Sequence, residues 1–156
     1  QGPLQALILP DPAAAPARRD GLWQHTCLEA FWGVRGEEGY WELNASPSGD
    51  WNLYRLERYR QGLRPEPLAA PPQARWTRTP LGGGLERLEL TLVVAMPSLA
   101  AGLAVDRTID PTTASGLEAA LTAVLEHRDG ALSYWALAHP AVEPDFHDRR
   151  GFQLLL

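Results

Sequence analysis

The sequence predicts an all-β domain, an antiparallel β-sandwich of jelly-roll or immunoglobulin-like type. Three observations carry this expectation. Apolar residues recur at every second position in several short runs, as on a half-buried strand. Glycine and proline, 14 of each in 156 residues, cut the chain into pieces too short for most helices. Gly36-Glu37-Glu38-Gly39 and Asp129-Gly130 lie between β-like runs, where hairpin turns belong. The length suits one domain over residues 1–156, which at this size buries about 68–70% of its unfolded surface.

The elements follow in order. Residues 4–9 are an apolar stretch. Residues 10–17 form a Pro/Ala run, which reads as an extended connector because proline fixes φ and removes donors. Residues 26–34 and 39–45 are β-like and joined by the first hairpin loop. Ser46-Pro47-Ser48-Gly49-Asp50 is a turn, and residues 51–59 read as the next strand. Pro65, Pro67, Pro71 and Pro72 make residues 62–74 a loop. Gly82-Gly83-Gly84 turns the chain into residues 85–95, where Arg87 to Leu92 alternate polar and apolar. Pro97 stops that strand, with at most one short helix near residues 97–102.

Leu117–Glu126 fits two patterns. Leu117, Leu121, Val124 and Leu125 make a helical stripe; Leu117, Ala119, Leu121, Ala123 and Leu125 make a strand face. Composition favours helix. The adjoining Asp-Gly turn and the β-like residues 131–139 favour strand, which is the expectation here. Residues 152–156 read as a last strand.

Composition removes several function classes. Apolar residues make up 45% and charged ones 21%, an ordinary globular balance. The net charge of −5 supplies no basic footprint for nucleic acid or anionic membrane. All 14 basic residues are arginine, so Schiff-base lysine and P-loop chemistry are excluded. Cys27 is the single cysteine, which rules out an intrachain disulfide and a multi-cysteine zinc site. No apolar run reaches the roughly 18 residues of a membrane-spanning helix. Neither Gly-x-Ser-x-Gly, His-Glu-x-x-His nor Gly-x-Gly-x-x-Gly occurs. The expectation is a non-catalytic protein. His25 and Cys27 share a strand face, as a thiolate–imidazole pair must, yet a mid-strand cysteine is ordinarily a small buried hydrophobe.

Six tryptophans, Trp23, Trp32, Trp41, Trp51, Trp76 and Trp135, are many for this length. Indole rings stack on the apolar faces of sugar rings, whose rim hydroxyls call for carboxylates and amides. The competing reading for each is core packing. Alternation places Cys27, Glu29 and Phe31 on one face of the first strand and Leu28, Ala30 and Trp32 on the other. It likewise groups Tyr40, Glu42 and Asn44 against Trp41, Leu43 and Ala45. With the second set of each strand in the core, Glu29, Glu42 and Asn44 gather beside Tyr40 and Trp23. Ligand hydroxyls, or Arg55 and Arg58, would then satisfy the carboxylates.

Leu22-Trp23-Gln24-His25-Thr26-Cys27-Leu28-Glu29-Ala30-Phe31 and Tyr40-Trp41-Glu42-Leu43-Asn44, with Ser46 to Asn52, resemble the bacterial DOMON-like domains. Ser133-Tyr134-Trp135-Ala136-Leu137, His139-Pro140 and Pro144-Asp145-Phe146-His147 look like the C-terminal signature of that family. The resemblance covers residues 9–156, and its superfamily includes the family 9 carbohydrate-binding modules. It implies a jelly-roll β-sandwich and a carbohydrate or other small ligand. Trp23 and Glu29 match the sugar modules' tryptophan and carboxylate, and Trp135 is the choice for a second clamping ring. It also implies further strands before residues 7–10, so the chain is expected to be N-terminally truncated, leaving an unpaired sheet edge. Other DOMON domains bind haem through Met and His, which would here be Met96 with His25, His127, His139 or His147. The leading expectation is no cofactor, and the further alternative is a structural or protein-interaction domain with no small ligand. His139, Asp145 and His147, beside Asp148, are the residues most like metal ligands, although their spacing matches no metal motif.

Overall fold

Period-two patterning becomes strand pairing along most of the chain. The computed structural model describes residues 4–95 and 116–156. Among these residues nine strands form: β1 (Cys27–Val34), β2 (Tyr40–Ala45), β3 (Trp51–Leu56), β4 (Arg64–Pro65), β5 (Gln73–Gly82), β6 (Leu85–Val93), β7 (Leu117–Glu126), β8 (Leu132–Ala136) and β9 (Leu154–Leu155). The fold is all-β and antiparallel, as expected. One sheet runs β4-β3-β2-β1-β7-β8, with β9 also on β7; β5 and β6 form a separate hairpin. No helix among the described residues is long and apolar enough to cross a membrane.

Leu117–Glu126 is a strand. Its residues 117–124 pair with all of β1, and β8 and β9 pair on its other edge. Two sets of ladder hydrogen bonds outweigh the helix propensity of its alanines and leucines. Three elements differ from expectation. The third strand stops at Leu56, because the chain turns back through the Arg58–Gln61 bridge with Arg60 at φ 52°. The proline-rich loop contains β4 and the start of β5. Within β5, Pro80 sits at a register shift, where the ladder tolerates a missing donor. The short helix expected near residues 97–102 lies outside the described residues.

Both faces of the main sheet carry core, of different kinds. On one face Phe31, Tyr40, Tyr54, Leu56, Ala120 and Phe152 cluster, with Phe146 against them. On the other, Trp41, Leu43, Trp51 and Leu53 cluster, and Leu92 and Val94 at the end of the β5–β6 hairpin pack on them. The residues 10–17 are an extended connector without regular structure, as expected. They run beside the start of β3, where Trp51 N–H donates to Ala17 and Ala17 N–H donates to Asp50.

Candidate functional site

Register assembles the site. Glu29 lies directly opposite Thr122 on β7 and Asn44 on β2, and Asn44 lies opposite Asn52 on β3. Residues opposite one another in antiparallel strands point to the same face. A polar row therefore crosses four strands. In the next row Phe31 faces Glu42, which faces Tyr54. Glu29 and Glu42 are diagonal neighbours, within reach of long side chains.

The expected grouping of Glu29, Glu42, Asn44 and Tyr40 on one face is present. The expected inside and outside are not. This face is the more buried one: Asn44 and Tyr40 are fully enclosed, and Glu29 and Glu42 are each 5% exposed. Two segments close over it. The 3-10 turn Leu22–Gln24 carries Trp23, and the stretch from Pro144 to Phe152 carries Phe146 and His147. What remains is a pocket of about 350 Å³ lined by Trp23, Glu29, Glu42, Arg60, Phe146 and His147, among others.

Hydrogen bonds fix each wall. Tyr54 O–H and the Asn52 amide both donate to Asp20 Oδ1, at 2.7 and 2.8 Å. Asp20 precedes Gly21, whose φ of 76° starts the Trp23 turn. Trp23 meets Tyr54 edge-on at 5.9 Å and remains 38% exposed at the pocket mouth. On the opposite wall, Arg149 donates to Glu118 and to the carbonyls of Val34, Glu37 and Gly39, which ties the closing C-terminal segment to β1 and the β1–β2 loop. Its guanidinium lies so near Gly33 that a Cβ there would come within 2.6 Å of it.

At the pocket floor, Glu29 accepts from Thr122 Oγ1 at 3.2 Å and Glu42 Oε1 accepts from the Asn44 amide at 2.8 Å. The other Glu42 oxygen, Oε2, is buried without a hydrogen-bond partner among the described residues, and His147 Nε2 stands 4.0 Å from it. Burial, then the charge of Glu42, push the Glu29 carboxyl up to about 8 against the Thr122 hydrogen bond. Burial also raises Glu42, opposed by Asn44 and by the charge of Arg60. Burial and the Arg60 charge bring His147 down to about 4, so its ring is neutral near pH 7. Tyr40 Oη lies 2.8 Å from His147 Nδ1 and already accepts from the Arg60 amide. Assigning each proton once has Tyr40 donate to Nδ1, which leaves the imidazole proton on Nε2, facing Glu42. Burial alone would raise Asp145, but hydrogen bonds from Tyr59, Arg60 and the His147 amide hold it low.

Trp135 is not part of this group. Its partner Ala123 points to the other face, where Trp135 lines a second cavity of about 650 Å³ with Leu28, Trp32, Leu43, Leu92 and Leu121. Tyr134, its neighbour, lines the polar pocket instead. Among the described residues no cluster of His, Cys, Asp and Glu has the form of a metal site. His147 bonds Tyr40, Asp145 pairs with Arg60, and the His139 ring lies against Phe146. Met96 lies outside the described residues; His25 bonds Glu126 and His127 bonds Ser133. Cys27 is buried against Asn44 Oδ1 at 3.7 Å, and burial raises its thiol far above the usual range. Sequence reasoning missed Arg60 and Thr122, and read His147 as a metal or haem ligand.

No family model, curated protein or solved structure matches this chain.

Proposed function

We propose that this protein is a non-catalytic ligand-binding module whose ligand is a carbohydrate, held in the polar pocket. The observation that carries this reading is the pairing of an exposed indole with a buried acceptor that has no protein partner. Trp23 stacks on the apolar face of a pyranose ring at the mouth. Glu42 Oε2, Glu29 and His147 Nε2–H meet hydroxyls at the floor, where a buried polar atom gains most from a partner. Asn44 and Thr122 hold the two carboxylates in place, and Tyr40 holds the imidazole. The volume of about 350 Å³ falls at the lower end of small-ligand pockets, roughly 300–1,000 Å³, and accepts one or two sugar rings. The resemblance to the family 9 carbohydrate-binding modules, with Trp23 and Glu29 at matching positions, supports the same choice.

The test is a glycan array followed by titration calorimetry. Saturable binding by the native protein is expected, with at least tenfold loss in both Trp23→Ala and Glu29→Ala, on the scale of about 1.4 kcal/mol for each factor of ten. Binding unchanged in both folded variants would remove the site assignment. Silence across the array would remove the carbohydrate reading.

A further inference from the structure

The floor of the pocket is richer in acid than a neutral sugar requires. Glu29 and Glu42 both line it and both are nine-tenths or more buried. Their protein partners, Thr122 and Asn44, are neutral. The one imidazole nearby, His147, stays 4.0 Å away. Among the described residues the one guanidinium in the lining, Arg60, is hydrogen-bonded to Asp145 at 2.9 Å. Glu42 Oε2 remains without a partner. The rings of Phe31, Tyr134 and Phe146 line the same pocket, with Trp23 at its mouth.

We infer that the ligand carries a protonated amino group, seated beside Glu42 Oε2 and Glu29 under the aromatic wall, which makes an amino sugar the favoured class over a neutral one. This rests on the carbohydrate reading of the same pocket. A hydroxyl satisfies one acceptor but leaves the raised Glu29 carboxyl in its protonated form. An ammonium donates to both carboxyls and supplies the charge. Aromatic faces attract the same cation and are indifferent to a hydroxyl. Seating the ammonium favours ionised carboxyls and so expels a proton near pH 6.5. Among the described residues, the titratable or charged groups facing that floor are Cys27 and Glu29 on β1, Tyr40 and Glu42 on β2, Tyr54 on β3 with Asp20 behind it, Tyr134 on β8, and Arg60, Asp145 and His147. Of these, Glu29, raised to about 8, holds a proton that it can release at that pH.

Titration calorimetry of the whole chain with glucosamine, N-acetylglucosamine and glucose tests this, at pH 6.5 in two buffers of different ionisation heat. Glucosamine is expected to bind about tenfold more tightly than either neutral sugar, the scale of one charge-assisted hydrogen bond. Its heat is expected to depend on the buffer, reporting proton release, while the heat for glucose does not. Glu42→Gln, nearly isosteric, is expected to bring the glucosamine-to-glucose ratio close to one. Equal or tighter binding of the neutral sugars would overturn the amino-group inference and leave the carbohydrate reading standing. A glucosamine heat independent of buffer would also overturn it. No binding of any array glycan would remove both.

Discussion

The two faces of the main sheet differ in a direction opposite to the usual one. One face, with Glu29, Glu42, Asn44, Asn52 and Tyr54, is polar and closed. The other, with Leu28, Ala30, Trp32, Leu121 and Trp135, is apolar, yet in β1 these residues are only half-buried, and Leu121 and Trp135 are about half exposed. A fold seeking only stability would bury the apolar face more completely. Burying two carboxyls has a cost unless partners meet them. Here Thr122, Asn44 and the Asp20–Asn52–Tyr54 network meet most of the polar atoms, and Glu42 Oε2 is left over. The closed face therefore carries both the polar row and an aromatic core, while the apolar face is tightly buried only over β2 and β3, at Trp41, Leu43, Trp51 and Leu53.

The sharpest way to break this contrast is to remove the aromatic support of the closed face. Phe31, 1% exposed, touches Phe146, His147 and Phe152. Phe31→Ala is expected to cost about 3–5 kcal/mol in denaturant unfolding; a cost below about 1 kcal/mol would mean that this face is not a packed core.

A second test uses pH. Glu29 has a folded value raised from 4.5 to about 8, so between those values the native state binds more protons than the unfolded one. Stability accordingly falls as pH rises through that window. The loss assigned to Glu29 is on the order of 5 kcal/mol, and Glu29→Gln is expected to flatten the slope between pH 5 and 8. An unchanged slope in the variant would show that Glu29 is not the group responsible.

Smaller effects sharpen the contrast. Arg149→Met removes the ion pair with Glu118 and the hydrogen bonds to Val34 and Gly39, for an expected loss of about 2 kcal/mol. It should also weaken ligand binding by loosening the segment that carries His147, which titration calorimetry checks. Smallest is Trp135→Ala on the apolar face. At 52% exposure it is expected to change stability by less than about 0.5 kcal/mol and to leave sugar affinity unchanged. A large loss of affinity there would move the binding site to the other face.

The face sorting was legible because side-chain direction on a strand depends only on parity. Cys27, Glu29 and Phe31, and Tyr40, Glu42 and Asn44, could be grouped from spacing alone. Which face would be closed was not legible. That depends on Trp23 and His147, which arrive from opposite ends of the chain through contacts no local pattern records. Trp135 shows the same limit, since its face is set by pairing with Ala123 and not by β8 itself. The ten-residue span of β5 was hidden by Pro71 and Pro72 before it, by Pro80 within it, and by the exposure of most of its side chains, which leaves no apolar face to read. Leu117–Glu126 was legible only through its neighbours, as its own residues fit helix and strand equally.

Cys27 lies in the first position of β1 on the closed face, fully enclosed and with its proton tightly held. A thiol reagent attacks only the thiolate, so the folded chain is inert to it until β1 parts from its neighbours. With no second cysteine to compete, the rate of labelling is a clock for that opening. Any molecule that seats itself against Glu29, two residues along the same strand face, should slow the clock.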